Sequence, residues 1–206
     1  MSVISLPFTS GGRAPSRPGP KLWTEQEFDR LVQLGMFDGK KVELIEGELL
    51  EVPPMNDSHA QAVQLTQYAL LPIFPGSSFT IRVQLPMRLA SGSRPMPDIA
   101  VVPGTPRDVA THPNGAVLLI EISDTTLDFD RTEKAQLYAR NGIEDYWIVN
   151  LAGRTVEVRR QPAQTSSGAF EYRLTQSYYP GDALAPLVRP DQPIRVDDLL
   201  PSESRG

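Results

Sequence analysis

Two acids and a lysine stand where they could hold a metal ion beside a phosphate. The first acid is in the pair Pro97-Asp98, the second opens Glu121-Ile122-Ser123, and Lys134 follows near the start of an expected helix. Each acid lies in or beside a short apolar run, PDIAVV from Pro97 and AVLLIEIS from Ala116. Continuous apolar runs of this length, bounded by turn residues, indicate strands buried on both faces. A carboxylate in such a strand must be hydrogen-bonded, ion-paired or metal-bound, because an unpaired buried charge is very costly. Asp and Glu are hard oxygen donors suited to Mg²⁺. A hard cation can supply a hydroxide-like nucleophile and neutralise phosphoryl charge, and a lysine can support either task.

Further candidates lie upstream. Glu43 sits in KVELIEGELLEV, two alternating segments about Gly47 that read as a hairpin, with Ile45 on the same side of its strand. His59 falls just inside a helix capped by Asn56, Asp57 or Ser58 and stopped at Pro72, where it could orient a phosphate or shuttle a proton. Arg82, Arg88, Arg94 and Arg107 flank Asp98 in sequence and could form a phosphate-contacting rim. Tyr138, Tyr146 and Trp147 suit core packing better than base stacking.

The elements that must position these groups follow in order. Thr24-x-x-Glu27 is a capping box opening a helix that ends near Gly35. Strand-like stretches run from Phe79 to Leu89, Asp98 to Val102 and Val117 to Ser123. Asp130 and Glu133 suggest a second capping box for a helix closed by Gly142. Tyr146 to Leu151, Thr155 to Arg160 and Phe170 to Tyr179 are further strands. The order predicts an α+β (mixed α/β) domain over 21–190, a central mixed sheet flanked by helices with an N-terminal helix and β-hairpin. Residues 1–20, rich in Ser, Pro, Gly and Arg, read as a disordered tail, and 191–206 as a C-terminal extension.

Composition narrows the chemistry. The 206 residues include no cysteine, which excludes disulfides and thiolate metal sites and fits a cytoplasmic protein. With His59 and His112 as the two histidines, a metal here is expected to be oxygen-ligated. No apolar run has the length of a membrane span, and the N-terminus lacks a signal-peptide pattern. The net charge of −5 predicts weak nucleic-acid binding, or binding that requires the divalent ion.

Several ordered segments resemble the Uma-type restriction endonuclease family of the PD-(D/E)XK restriction-endonuclease-like superfamily. They are VELIEGELLEV with His59 after it, the Pro97-Asp98 strand, LLIEISDTT, and EKAQLYARNGIEDYWIVNL. The resemblance covers about residues 22 to 160. It implies a Mg²⁺-dependent endonuclease, with Mn²⁺ as a possible substitute, hydrolysing phosphodiester bonds in DNA by metal-activated water. Asp98, Glu121 and the backbone carbonyl of Ile122 would be metal ligands, with Glu43 an additional acid at the site. Residue 123, where the superfamily carries its lysine, is serine here. In Uma-type relatives the lysine is shifted to the following helix, which gives Lys134. The expected partner is double-stranded DNA, and cutting both strands is most simply done by a homodimer.

Structural roles stand open beside these. Asp98 could end a strand after the Pro97 turn, and Lys134 could pair with Asp130 at i,i+4 spacing. A catalytically silent nucleic-acid-binding module that keeps the fold is the rival reading, motivated by Ser123 and the acidic balance. A different Mg²⁺-dependent phosphoryl enzyme is a third, although no P-loop is present.

Overall fold

The computed structural model describes residues 19–202. The expected tail falls outside the described residues up to residue 18.

Local signals set the N-terminal elements. Helix α1 (Glu25–Gln33) opens on the Thr24/Glu27 capping box, each side chain bonded to the other's backbone N–H. Strands β1 (Lys41–Ile45) and β2 (Glu48–Val52) pair antiparallel about Glu46 and Gly47, both at positive φ. A Cβ at Gly47 would also lie 2.9 Å from Leu22 Cβ, so glycine is required there twice over. Helix α2 (Asp57–Leu70) is capped by Asn56, whose Oδ1 accepts from the His59 N–H.

The central sheet has six strands in the order β3 (Phe79–Val83), β4 (Ile99–Pro103), β5 (Leu118–Ser123), β6 (Asp145–Asn150), β7 (Thr155–Gln164) and β8 (Phe170–Tyr178). All neighbours are antiparallel except β5 and β6. That parallel pair needs a crossover, supplied by a continuous helical segment: α3 (Leu127–Phe129), a π turn over Asp130–Lys134, and α4 (Ala135–Arg140). Side chains alternate between the two faces of the sheet. Ile99, Val101, Leu118, Ile120, Ile122, Trp147 and Val149 pack with α2. Ala100, Leu119, Tyr146 and Ile148 pack with the crossover helix. Asp98, Glu121 and Ser123 share the parity of this second set, so all three face the crossover.

Three local expectations need correction. The strand from Phe79 ends at Val83 rather than Leu89, because Gln84 adopts φ +50 and breaks the ladder. Met87 and Leu89 still bury, held by backbone bonds to Pro95 and Ser93. Asp130 does not cap a helix: helical geometry begins at Leu127, and the Asp130 carboxylate accepts instead from the hydroxyls of Ser123 and Thr126. The C-terminal segment, expected as an extension from 191, carries regular structure and joins the core. Strands β9 (Ala183–Leu184) and β10 (Ile194–Arg195) pair, and Leu184, Ile194, Val196, Leu199 and Leu200 enter the α2-side core. Leu199→Ala should therefore destabilise the protein by about 2–5 kcal/mol, as fully buried leucines do. Denaturant unfolding checks this, and an unchanged midpoint would show that the segment is dispensable.

Candidate active site

The start of strand β4 and the end of β5 lie side by side at one end of the antiparallel pair, inside the sheet, and the candidate residues meet there. Asp98 immediately precedes β4, which stops short of Ile122, so the Asp98 side chain takes the place of a ladder partner. Its Oδ2 accepts from the Ile122 N–H at 2.9 Å, while its own N–H donates to Glu121 Oε2 at 3.3 Å. The two carboxylates are therefore adjacent, on the same side of the sheet. In an extended strand a residue's N–H and C=O point the same way, so the Ile122 carbonyl turns toward Asp98 as well.

Two further donors fix Asp98. His59 Nε2 lies 3.1 Å from Oδ1, and Gln84 Nε2 donates to the same oxygen at 2.9 Å. Burial would raise the Asp98 carboxyl, but the bonds from His59, Gln84 and Ile122 hold it below the usual carboxylate range. Burial would likewise depress His59, yet its bond to Asp98 and the charge there raise it.

Lys134 leaves the π turn and buries its ammonium between two acids. Nζ lies 2.8 Å from Glu43 Oε2 and 3.1 Å from Glu121 Oε1. Glu43 reaches it because it shares a face of β1 with Ile45, which is packed in the crossover-side core. Glu43 is also pinned by the Met96 N–H at 2.7 Å. Burial alone would favour a neutral amine, but Glu121 and Glu43, and then Asp130, hold Lys134 well above the ordinary lysine range. Glu121 responds the other way. Burial is the largest influence and, with the charges of Asp130, Asp98 and Glu43, pushes it up to about 7 against the pull of Lys134. The i,i+4 pairing of Lys134 with Asp130 is not the contact formed.

Asp98, Glu121, Glu43, His59, Ile122 and Lys134 all line one cleft of 530 Å³. Among the described residues, no three of the acids and histidines close into a finished metal cage. Their oxygens are instead turned to N–H and O–H donors. The donor set nevertheless suits a hard divalent ion: two adjacent carboxylates, an inward-turned carbonyl, and four acids (Glu43, Asp98, Glu121, Asp130) facing Lys134 and His59.

Sequence reasoning missed Gln84, Asp130 and the Tyr138 hydroxyl. Tyr138 is core as expected, but its OH also donates to Glu121 Oε1 at 2.6 Å. No local pattern marks Gln84; its contact depends on the left-handed backbone that aims it at Asp98. The arginine rim does not form. Arg88 and Arg94 pair with Glu25 and Asp29 of α1, Arg82 donates to the Pro86 carbonyl, and none of the four lines the cleft.

The mixed six-stranded sheet, the helices on both its faces and the acids where β4 starts beside the end of β5 define a restriction-endonuclease-like α+β domain. The chain belongs to the Uma2 family, described as "Putative restriction endonuclease", whose model matches residues 25–193. A similar solved structure is a protein from Anabaena variabilis ATCC 29413 described as "a putative nuclease belonging to DUF820". It matches with a TM-score of 0.66 and 17% identity, over 85% of this chain and 96% of that one, and bears out the fold. Among curated proteins none matches. No helix among the described residues is long and apolar enough to cross a membrane.

Proposed function

We propose that this protein is a divalent-metal-dependent endonuclease acting on phosphodiester bonds in DNA. The observation that carries the reading is the pair of adjacent buried carboxylates, Asp98 and Glu121, with the Lys134 ammonium bonded to the second of them. The names of the family and of the similar structure point to the same class of activity.

Asp98, Glu121 and the Ile122 carbonyl would hold Mg²⁺ or Mn²⁺. When bound, such an ion lowers the pKa of water and neutralises phosphoryl charge. The protein's own groups prepare the place. Lys134, held protonated, is a fixed positive charge rather than a base, and stabilises charge developing on a phosphoryl oxygen. Tyr138 keeps its proton, because burial and the charges of Glu121 and Glu43 raise it far above neutrality. It therefore serves as a donor that fixes Glu121. His59 has its Nε2 committed to Asp98 and so orients that carboxylate. Ser123 is tied to Asp130, which holds the crossover helix against β5.

Gln84 orients Asp98 from the opposite loop, and supporting groups of this kind typically contribute about 10–100-fold to metal affinity or activity. Gln84→Ala should weaken Mn²⁺ binding by about that factor while the protein stays folded. Titration calorimetry reads it, and parental affinity would remove Gln84 from the site.

Supercoiled plasmid and single-stranded oligonucleotides, incubated with Mg²⁺ or Mn²⁺ beside an Asp98→Ala control, test the function. Cleavage by the parent and none by the variant supports it. Absence of cleavage in both favours a silent module, and DNA binding without cleavage would establish that alternative.

A further inference from the structure

The same cleft carries information about which form of DNA it takes, an inference that rests on the nuclease reading. One wall of its opening is apolar, facing a polar side of Glu51, Asn56, Asp124 and Thr125. Pro53, Pro54 and Met55 follow β2 and are exposed, and Leu50 and the half-buried Phe129 line the cleft with them. Its cationic lining is Lys41, Lys134 and His59, and the last two are already engaged by carboxylates. A surface that follows a duplex backbone needs a series of cations to neutralise successive phosphates; Arg82, Arg88 and Arg94 are bonded elsewhere, and Arg107 does not line the cleft. Apolar and aromatic walls suit instead the face of a base.

Size and depth point the same way. A volume of 530 Å³ falls within the roughly 300–1,000 Å³ that encloses a small-molecule ligand, which is room for about one nucleotide. Asp98 and Glu121 are each 5% exposed, so a reacting phosphate must enter rather than lie across the surface. Phe129 also packs beside the lysine, its ring centroid 6.0 Å from Lys134 Nζ. A base against that ring would bring its own phosphate toward Lys134. Within a duplex, a base reaches such a pocket only after unpairing and unstacking, which an unpaired strand does not require.

We propose that the cleft takes an unpaired DNA strand, with one base seated against Phe129 and the Pro53–Met55 loop and the adjoining phosphate directed at Asp98, Glu121 and Lys134. This departs from the double-stranded partner expected from sequence.

Fluorescence anisotropy with a labelled single strand and a hairpin duplex of the same length, without divalent ions, tests binding. Cleavage of both with Mn²⁺ tests turnover. The single strand should bind and be cut at least about ten-fold better, and Phe129→Ala should remove most of that advantage while Phe129→Tyr keeps it. Met55→Ala, at an exposed position whose sulfur accepts from Gln84 Nε2, should reduce the preference beyond any effect it has on turnover of both forms alike. Equal or better use of the duplex, or an unchanged preference in both alanine variants, overturns the proposal. If Asp98-dependent cleavage of the duplex persists in that case, the nuclease reading survives without it. If neither form of DNA is bound or cut, both fall together.

Discussion

Lys134→Ala should lower the cleavage rate by at least about 10²–10³-fold, the usual effect of removing a lone electrostatic donor from a reacting centre. Ser123→Ala, which removes a hydroxyl tied to Asp130 and no positive charge, should change the rate little. The lysine variant should also reveal what the ammonium does for the fold. Lys134 is 4% exposed and bonded to Glu43 and Glu121, and removing one member of a buried pair costs about 3–5 kcal/mol because its partners are left unpaired. That loss must depend on pH. Glu121, already raised by burial, loses the ammonium that held it down, so its folded-state pKa rises further. An acid with a raised folded pKa leaves stability intact below its unfolded pKa, and stability is lost as pH rises through the folded one. Lys134→Ala should therefore melt near the parent at pH 5 and well below it at pH 8. Equal melting at both pH values, with parental cleavage, would reduce Lys134 to an incidental neighbour.

Glu121→Gln should behave in the opposite sense. Burial and three neighbouring acids push Glu121 up to about 7 from an ordinary 4.5, so ionising it costs the folded state stability between those pH values. Each unit is worth about 1.4 kcal/mol. Glutamine carries no charge, and Lys134 keeps Glu43 as a partner. The variant should be at least as stable as the parent at pH 8, by about 1–3 kcal/mol, with the difference vanishing near pH 4. It should also lose the rise in melting midpoint that Mn²⁺ gives the parent. A full Mn²⁺-induced rise in the glutamine variant would exclude Glu121 as a ligand.

What could be read from the chain was local. The Thr24/Glu27 box, the Asn56 cap and the Glu46-Gly47 turn depend on residues a few positions apart, and all stand where expected. The runs holding Asp98 and Glu121 were legible because a carboxylate among buried apolar residues has few physical excuses. Their common face followed only after β4 and β5 were paired in register. Lys134, Glu43 and His59 could be nominated, but their convergence depends on contacts across 91 and 39 residues of chain, which no spacing rule reaches.

Other features were hidden for different reasons. Gln84 sits at positive φ with no glycine or asparagine to announce it. Asp130 had two hydrogen-bonding futures, at a helix N-terminus or toward Ser123, and burial against β5 selects the second. The arginines near Asp98 in sequence looked like a phosphate rim, yet Glu25 and Asp29 of α1 compete for Arg88 and Arg94 and hold them. Ile194 and Val196 stand at strand spacing and Val196, Leu199 and Leu200 at helical spacing, but each run is too short to announce an element, so their burial against α2 and the sheet was not legible.

The central claim is that Asp98, Glu121 and the Ile122 carbonyl together hold one divalent ion. Crystals grown with Mn²⁺ and examined by anomalous scattering test it directly. A single strong peak shared by those three groups is expected, with His59 and Gln84 still bonded to Asp98 and Lys134 adjacent, and no peak in Asp98→Ala crystals. A strong peak elsewhere in the molecule, with Asp98 and Glu121 still bonded as they are here and no density between them, would contradict it.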